Sequence, residues 1–183
     1  MDTSILTGSK NKPRIFLAYY KRSARPGDER FHVAIIVRNH PIQNNTISSV
    51  RLHAINKVQP PTAEDPVARQ VWEFEAKKSH FVTEKLVGLV YLGKLPKGKS
   101  IDDVTKICAT VPVAPAGESE WRCTNWVWHA LKKLEEETII PPLPCSSEEL
   151  HRKGRDHILE RRRENRDDLV CVDTKIELYD YTN

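Results

Sequence analysis

Apolar residues recur in alternation or in short unbroken runs over the first hundred positions, and at helical spacing after that. Arg14–Tyr20 is an aromatic and β-branched run that predicts a strand. Phe31–Arg38 is nearly continuous in apolar residues, the pattern of a strand buried on both faces. Ser49–Asn56 alternates and predicts a paired strand, and Val71–Ala76 and Val87–Leu95 predict two more. Ser100–Cys108 opens with Ser-x-x-Asp, a capping box, and predicts a helix. Arg122–Glu137 predicts the best helix: Cys123, Trp126, Val127, Ala130, Leu131 and Leu134 share one face, and Pro141, Pro142 and Pro144 end it. Ser147–Asp167 predicts a second long helix with glutamates in its first turn. Val170–Val172 and Lys175–Tyr179 are short candidates for a closing strand. Strands first and helices after predict an α+β fold with an antiparallel sheet packed on helices.

Composition narrows the class without changing that picture. The chain has 183 residues, 39% apolar and 30% charged, with 7 Gly and 12 Pro, which excludes collagen-like and wholly disordered classes. No apolar run approaches the ~20 residues of a membrane span, and the first residues lack a secretory h-region. The 4 cysteines form no Cys-x-x-Cys pair, so neither a zinc ribbon nor a disulfide scaffold is expected; a reduced, cytoplasmic setting is. No cofactor and no metal are expected. The formal charge of +4 is uneven: residues 1–100 carry 17 Lys and Arg against 8 Asp and Glu, and the remainder is slightly acidic. Such a field steers anionic partners. The triplet Arg161-Arg162-Arg163 sits among acids and belongs to a solvated helix.

Three residues then stand out. Cys123 opens its helix, where the positive end of the macrodipole favours a thiolate, the form a nucleophilic cysteine needs. The bland alternative is a small core residue. His32 lies within the apolar strand and shares a face with Ala34, Ile36 and Arg38. His53 lies in the next strand on a face with Arg51 and Ile55. If those strands form a hairpin, the two imidazoles come side by side, and one orients the other. Thiol, base and orienting group are the parts of a Cys-His-polar triad; two satisfied core histidines are the alternative. His40, His80, His151 and His157 are expected at the surface, and Trp128 is expected to pack beneath the C-terminal helix.

The order of histidine strand, second polar strand and cysteine helix resembles the circularly permuted papain-like fold, whose members include lecithin:retinol acyltransferase-like, permuted NlpC-type and PPPDE proteins. Papain itself has the cysteine first. More narrowly, Phe31-His32-Val33-Ala34-Ile35-Ile36-Val37, Leu52-His53-Ala54-Ile55-Asn56, Trp72-Glu73-Phe74-Glu75 and Trp121-Arg122-Cys123-Thr124-Asn125-Trp126-Val127 resemble an uncharacterised family of small fungal proteins. The chain departs from that family's pattern at Ile55, where lysine is common. The resemblance spans roughly residues 14–137. It implies a permuted papain-like catalytic domain over 13–145; the polar segment 1–12 is expected to be flexible, and the helical extension over 146–183, outside the resemblance, is expected to pack on the same domain.

The resemblance also implies roles. Cys123 attacks a carbonyl carbon, His32 takes its proton, and His53 holds the His32 tautomer. Tyr19, Tyr20, Arg122 and Asn125 are the candidate oxyanion and substrate contacts. The activity implied is thiol-dependent acyl transfer through an acyl-enzyme, as an amide or ester hydrolase or as an acyltransferase. Two alternatives stay open. One is an aminoacyl-tRNA-dependent amide synthase using the same site, with the basic first half contacting tRNA. The other is a non-catalytic binding module that keeps the fold. The expected partner is an acyl-bearing substrate, with an anionic one favoured by the basic half.

Overall fold

The computed structural model describes residues 12–22, 30–39, 49–64, 66–80, 83, 85–114, 120–163 and 170–173; the flexible segment expected up to residue 12 lies almost wholly outside them, as do His40 and the candidate strand at 175–179. Five strands, β1 (Arg14–Lys21), β2 (Phe31–Arg38), β3 (Ser49–Gln59), β4 (Arg69–Ser79) and β5 (Leu86–Lys94), pair antiparallel, and a short β6 (Val170–Asp173) joins β5 in parallel. The order across the sheet is β4-β3-β2-β1-β5-β6. Among the described residues, three helices follow β5 in sequence: α1 (Ile101–Ala109), α2 (Cys123–Glu136) and α3 (Ser147–Arg163). The expected α+β class with an antiparallel sheet on helices is what the chain adopts.

Strand parity divides the sheet into two faces. Ile15, Leu17 and Tyr19 of β1, Val33, Ile35 and Val37 of β2, and Leu52 and Ala54 of β3 join one core with Trp126, Val127, Ala130, Leu131 and Leu134 of α2. Alternate residues point the other way: Phe16, Ala18 and Tyr20 of β1, Ala34 and Ile36 of β2, and Leu86 and Leu89 of β5 form a second apolar cluster. This explains the unbroken apolar run of β2, since both of its faces are buried.

The helices lie on the first face, each for a legible reason. Ser100 caps α1 reciprocally with Asp103, as its sequence predicts. Trp126 of α2 is fully buried and its ring lies 5.5 Å from that of Phe74 on β4. In α3, Gly154 lets the helix approach β1, where the Tyr19 hydroxyl donates to the His151 carbonyl at 2.9 Å. His151 is 8% exposed, stacked on Tyr19 and near Trp128. Trp128 therefore packs beneath α3 as expected. The surface placement expected for His151 is overturned, because the helical period turns it inward with Leu150 and Ile158. No helix among the described residues is long and apolar enough to cross a membrane.

Candidate functional site

The two strand histidines meet. His32 Nε2 and His53 Nδ1 are 2.6 Å apart, and His53 Nε2 is 2.9 Å from a Glu75 carboxylate oxygen. The β3–β4 register makes this possible by placing His53 directly opposite Glu75. The three groups form a line, Glu75–His53–His32. His53 in its middle is buried, while Glu75 and His32 at its ends are only partly covered.

Proton bookkeeping follows from the acceptor chemistry. A carboxylate only accepts, so His53 Nε2 carries a hydrogen and donates to Glu75. Neutral His53 then has a bare Nδ1, which accepts from His32 Nε2–H. That fixes the His32 tautomer and leaves its Nδ1 as an unprotonated base. Both rings are held neutral. Burial is the main cause for each, aided for His32 by His53, Arg51 and Arg22 and for His53 by Arg51; His32 falls to about 3 and His53 to about 4, with Glu75 pulling the latter back up.

Basic and aromatic groups surround the line. Tyr20 is the β1 partner of His32 and its ring lies 6.3 Å away. The Arg51 guanidinium sits 5.2 Å from the Tyr20 ring centroid. Glu73, next on the same face of β4, is held by Lys57 at 2.7 Å.

Cys123 is elsewhere. It is the first residue of α2, is 4% exposed and belongs to the core on the helix side of the sheet. His32 and His53 lie on the opposite face, with Tyr20, Ala34 and Ile36. Among the described residues no hydrogen bond joins Cys123 to either histidine. The expected thiol–imidazole contact is therefore not made. The reason is parity: Leu52, Ala54 and Phe74 must face α2 to build the core, so His53 and Glu75 between them face away.

The other candidates divide the same way. Tyr20 is beside His32, whereas Tyr19 is on the helix face with its hydroxyl committed to His151. Arg122 and Asn125 cap α2: the Arg122 backbone N–H donates to Asn125 Oδ1 at 2.8 Å, and the Arg122 guanidinium donates to the Trp121 carbonyl. Both stand where the helix starts. Glu75 and Arg51 were not candidates from sequence. Glu75 lay within a predicted strand, but only the register shows that it faces His53.

A cleft of about 570 Å³ opens at the start of α1, lined by Asn39, Ser49, Val50, Lys78, Ser100, Ile101 and Asp102. It holds none of the histidines. Among the described residues no group of three or more His, Cys, Asp or Glu is arranged to hold a metal ion.

Comparison with protein families matches residues 12–178 to a family of unknown function, DUF6914. No curated protein matches the chain, and no solved structure does.

Proposed function

The chain belongs to this family of unknown function, and we propose that it is a general acid–base enzyme that hydrolyses an ester or amide, with His32 as base and water as nucleophile. The observation that supports this best is the unbroken Glu75–His53–His32 line, whose bare imidazole nitrogen stands at a partly exposed end. His32 Nδ1 takes a proton from water as the oxygen adds to the carbonyl carbon. The imidazolium so formed is stabilised through His53 by the Glu75 carboxylate. It then returns the proton to the departing alkoxide or amine, and the acid product leaves. One water is consumed and the enzyme ends as it began.

A second reading is thiol-dependent acyl transfer in a permuted papain-like architecture, with Cys123 as nucleophile. What favours it is the chain order His32, His53, Cys123 and the place of Cys123 at the start of α2. It ranks second because the thiol and the base are on opposite faces of the sheet.

Hydrolysis of p-nitrophenyl acetate by the full chain separates the two. On the first reading His32→Ala lowers kcat/KM about a hundredfold or more, and Cys123→Ala leaves it near the parent value. Cys123→Ala inactivity, together with an acetyl adduct on Cys123 in the parent protein, would establish the thiol route instead. Full activity in His32→Ala defeats both.

A further inference from the structure

We infer that Arg51 seats an anionic oxygen group of the substrate, a carboxylate or a phosphate, directly beside His32. This rests on reading His32 as the base and names the class of molecule it acts on.

Arg51 lies two residues before His53 on the same face of β3, with its guanidinium over Tyr20. Its Nε is buried and has no hydrogen-bond partner among the described residues. A buried N–H left unmade is a cost, larger on a charged group, and turning the guanidinium onto a ligand oxygen relieves it. The acidic groups of this face are already engaged: Glu75 accepts from His53, and Glu73 pairs with Lys57. No carboxylate among the described residues pairs with Arg51. The charged groups that act on the imidazoles are Arg22 after β1, Arg51 on β3, and Glu75 and Lys77 on β4. Among the described residues, the charged groups acting on the imidazoles are thus three cations against one carboxylate, a balance that an anion fills.

The consequence is a coupling between binding and chemistry. With the seat empty, Arg51 and Arg22 oppose protonation of His32. An anion on Arg51 cancels that opposition, so His32 becomes a stronger base only when substrate is in place.

The test uses the full chain with 15N-labelled histidine, following the His32 ring nitrogens against pH while sodium acetate or inorganic phosphate is added. Either anion is expected to bind saturably and to move the His32 midpoint upward. The tighter of the two names the class. Arg51→Gln is expected to weaken that binding about tenfold or more, whereas Arg22→Gln, at an exposed position, weakens it less. The inference falls if neither anion moves the wild-type His32 midpoint, a result independent of whether Arg51→Gln folds, or if a folded Arg51→Gln binds as tightly as the parent. An unmoved midpoint with hydrolysis lost in His32→Ala removes the seat and leaves the base. A seat that depends on Arg51, with hydrolysis intact in His32→Ala, removes the base and leaves the seat.

Discussion

His32 and His53 are bridged by their side chains where the backbone ladder between their strands has stopped. The β2–β3 ladder runs from Arg38–Ser49 to Ile35–Leu52 and goes no further, yet the imidazoles three residues beyond on β2 and one beyond on β3 are 2.6 Å apart. A ring–ring hydrogen bond thus continues the strand pairing that the backbone has given up. His53 has both nitrogens committed, and His32 only one.

His53 is accordingly a positioning residue. His53→Ala cuts the line between Glu75 and His32 and frees the His32 tautomer. On the proposed mechanism kcat falls about 10–100-fold with little change in KM, the scale typical of groups that orient a reacting imidazole or ligand. Glu75→Gln, which still accepts through its amide oxygen but carries no charge, should cost less than His53→Ala. Steady-state kinetics on p-nitrophenyl acetate decide it; a KM effect alone, or Glu75→Gln exceeding His53→Ala, contradicts the arrangement.

The pH profile follows from the direction of the His32 shift. A base must be unprotonated, so activity is lost as pH falls through the His32 pKa. In the free protein that lies near 3, which places the acid limb of kcat/KM well below neutrality. An anionic substrate on Arg51 raises the pKa in the complex, so the acid limb of kcat lies at higher pH than that of kcat/KM. p-Nitrophenyl hemisuccinate should show this separation and p-nitrophenyl acetate should not. Coincident limbs for the hemisuccinate contradict the coupling.

Much of this site was legible in the sequence, and what was not has a definite cause. Two successive predicted strands with a histidine in each, one nearly continuous in apolar residues and one alternating, were enough to anticipate the His32–His53 contact, because side chains on a common face of antiparallel neighbours come within reach. The apolar stripe of α2 was equally clear. Which face of the sheet α2 would cover was not, since β2 is apolar on both faces and hides its orientation. Only Leu52, Ala54 and Phe74, read together, show that Cys123 and the histidines are on opposite sides. Glu75 and Arg51 escaped because register and stacking are tertiary facts. His151 escaped because the charge density of α3 masks its narrow buried stripe of Leu150, His151, Gly154 and Ile158.

The same depressed histidines make the fold acid-sensitive. His53 and His151 are both buried and fall to about 4, chiefly through burial. An unfolded histidine titrates near its ordinary 6.5. The unfolded chain therefore binds protons first, so the neutral rings contribute fully above about pH 6.5 and the contribution drains away as pH falls from there toward 4. Each fully linked group contributes a slope of about 1.4 kcal/mol per pH unit in that window. Urea midpoints should drop between pH 7 and pH 5, and His151→Gln should flatten that drop relative to the parent protein. An unchanged midpoint across the interval contradicts the burial of these rings as neutral groups.

The docking of α3 depends on two glycines. A Cβ on Gly88 of β5 would collide with the Ile158 side chain, and a Cβ on Gly154 of α3 would press on the Tyr19 hydroxyl and Val90. Only the Cδ1 end of Ile158 turns freely, because the side chain is β-branched and fully buried. Tyr19 cannot move easily either, since its hydroxyl is bonded to the His151 carbonyl and its ring is stacked on the His151 imidazole. Overpacking of this kind costs about 1–3 kcal/mol. Gly88→Ala and Gly154→Ala should therefore both destabilise in urea unfolding, the latter even though alanine is the better helix former by ~1 kcal/mol. Both variants should keep the His32–His53 contact, which is on the far face of the sheet, and so should hydrolyse p-nitrophenyl acetate at the parent rate while folded. Stabilisation by Gly154→Ala would mean that α3 does not sit this close to β1, and the burial assigned to His151 would go with it.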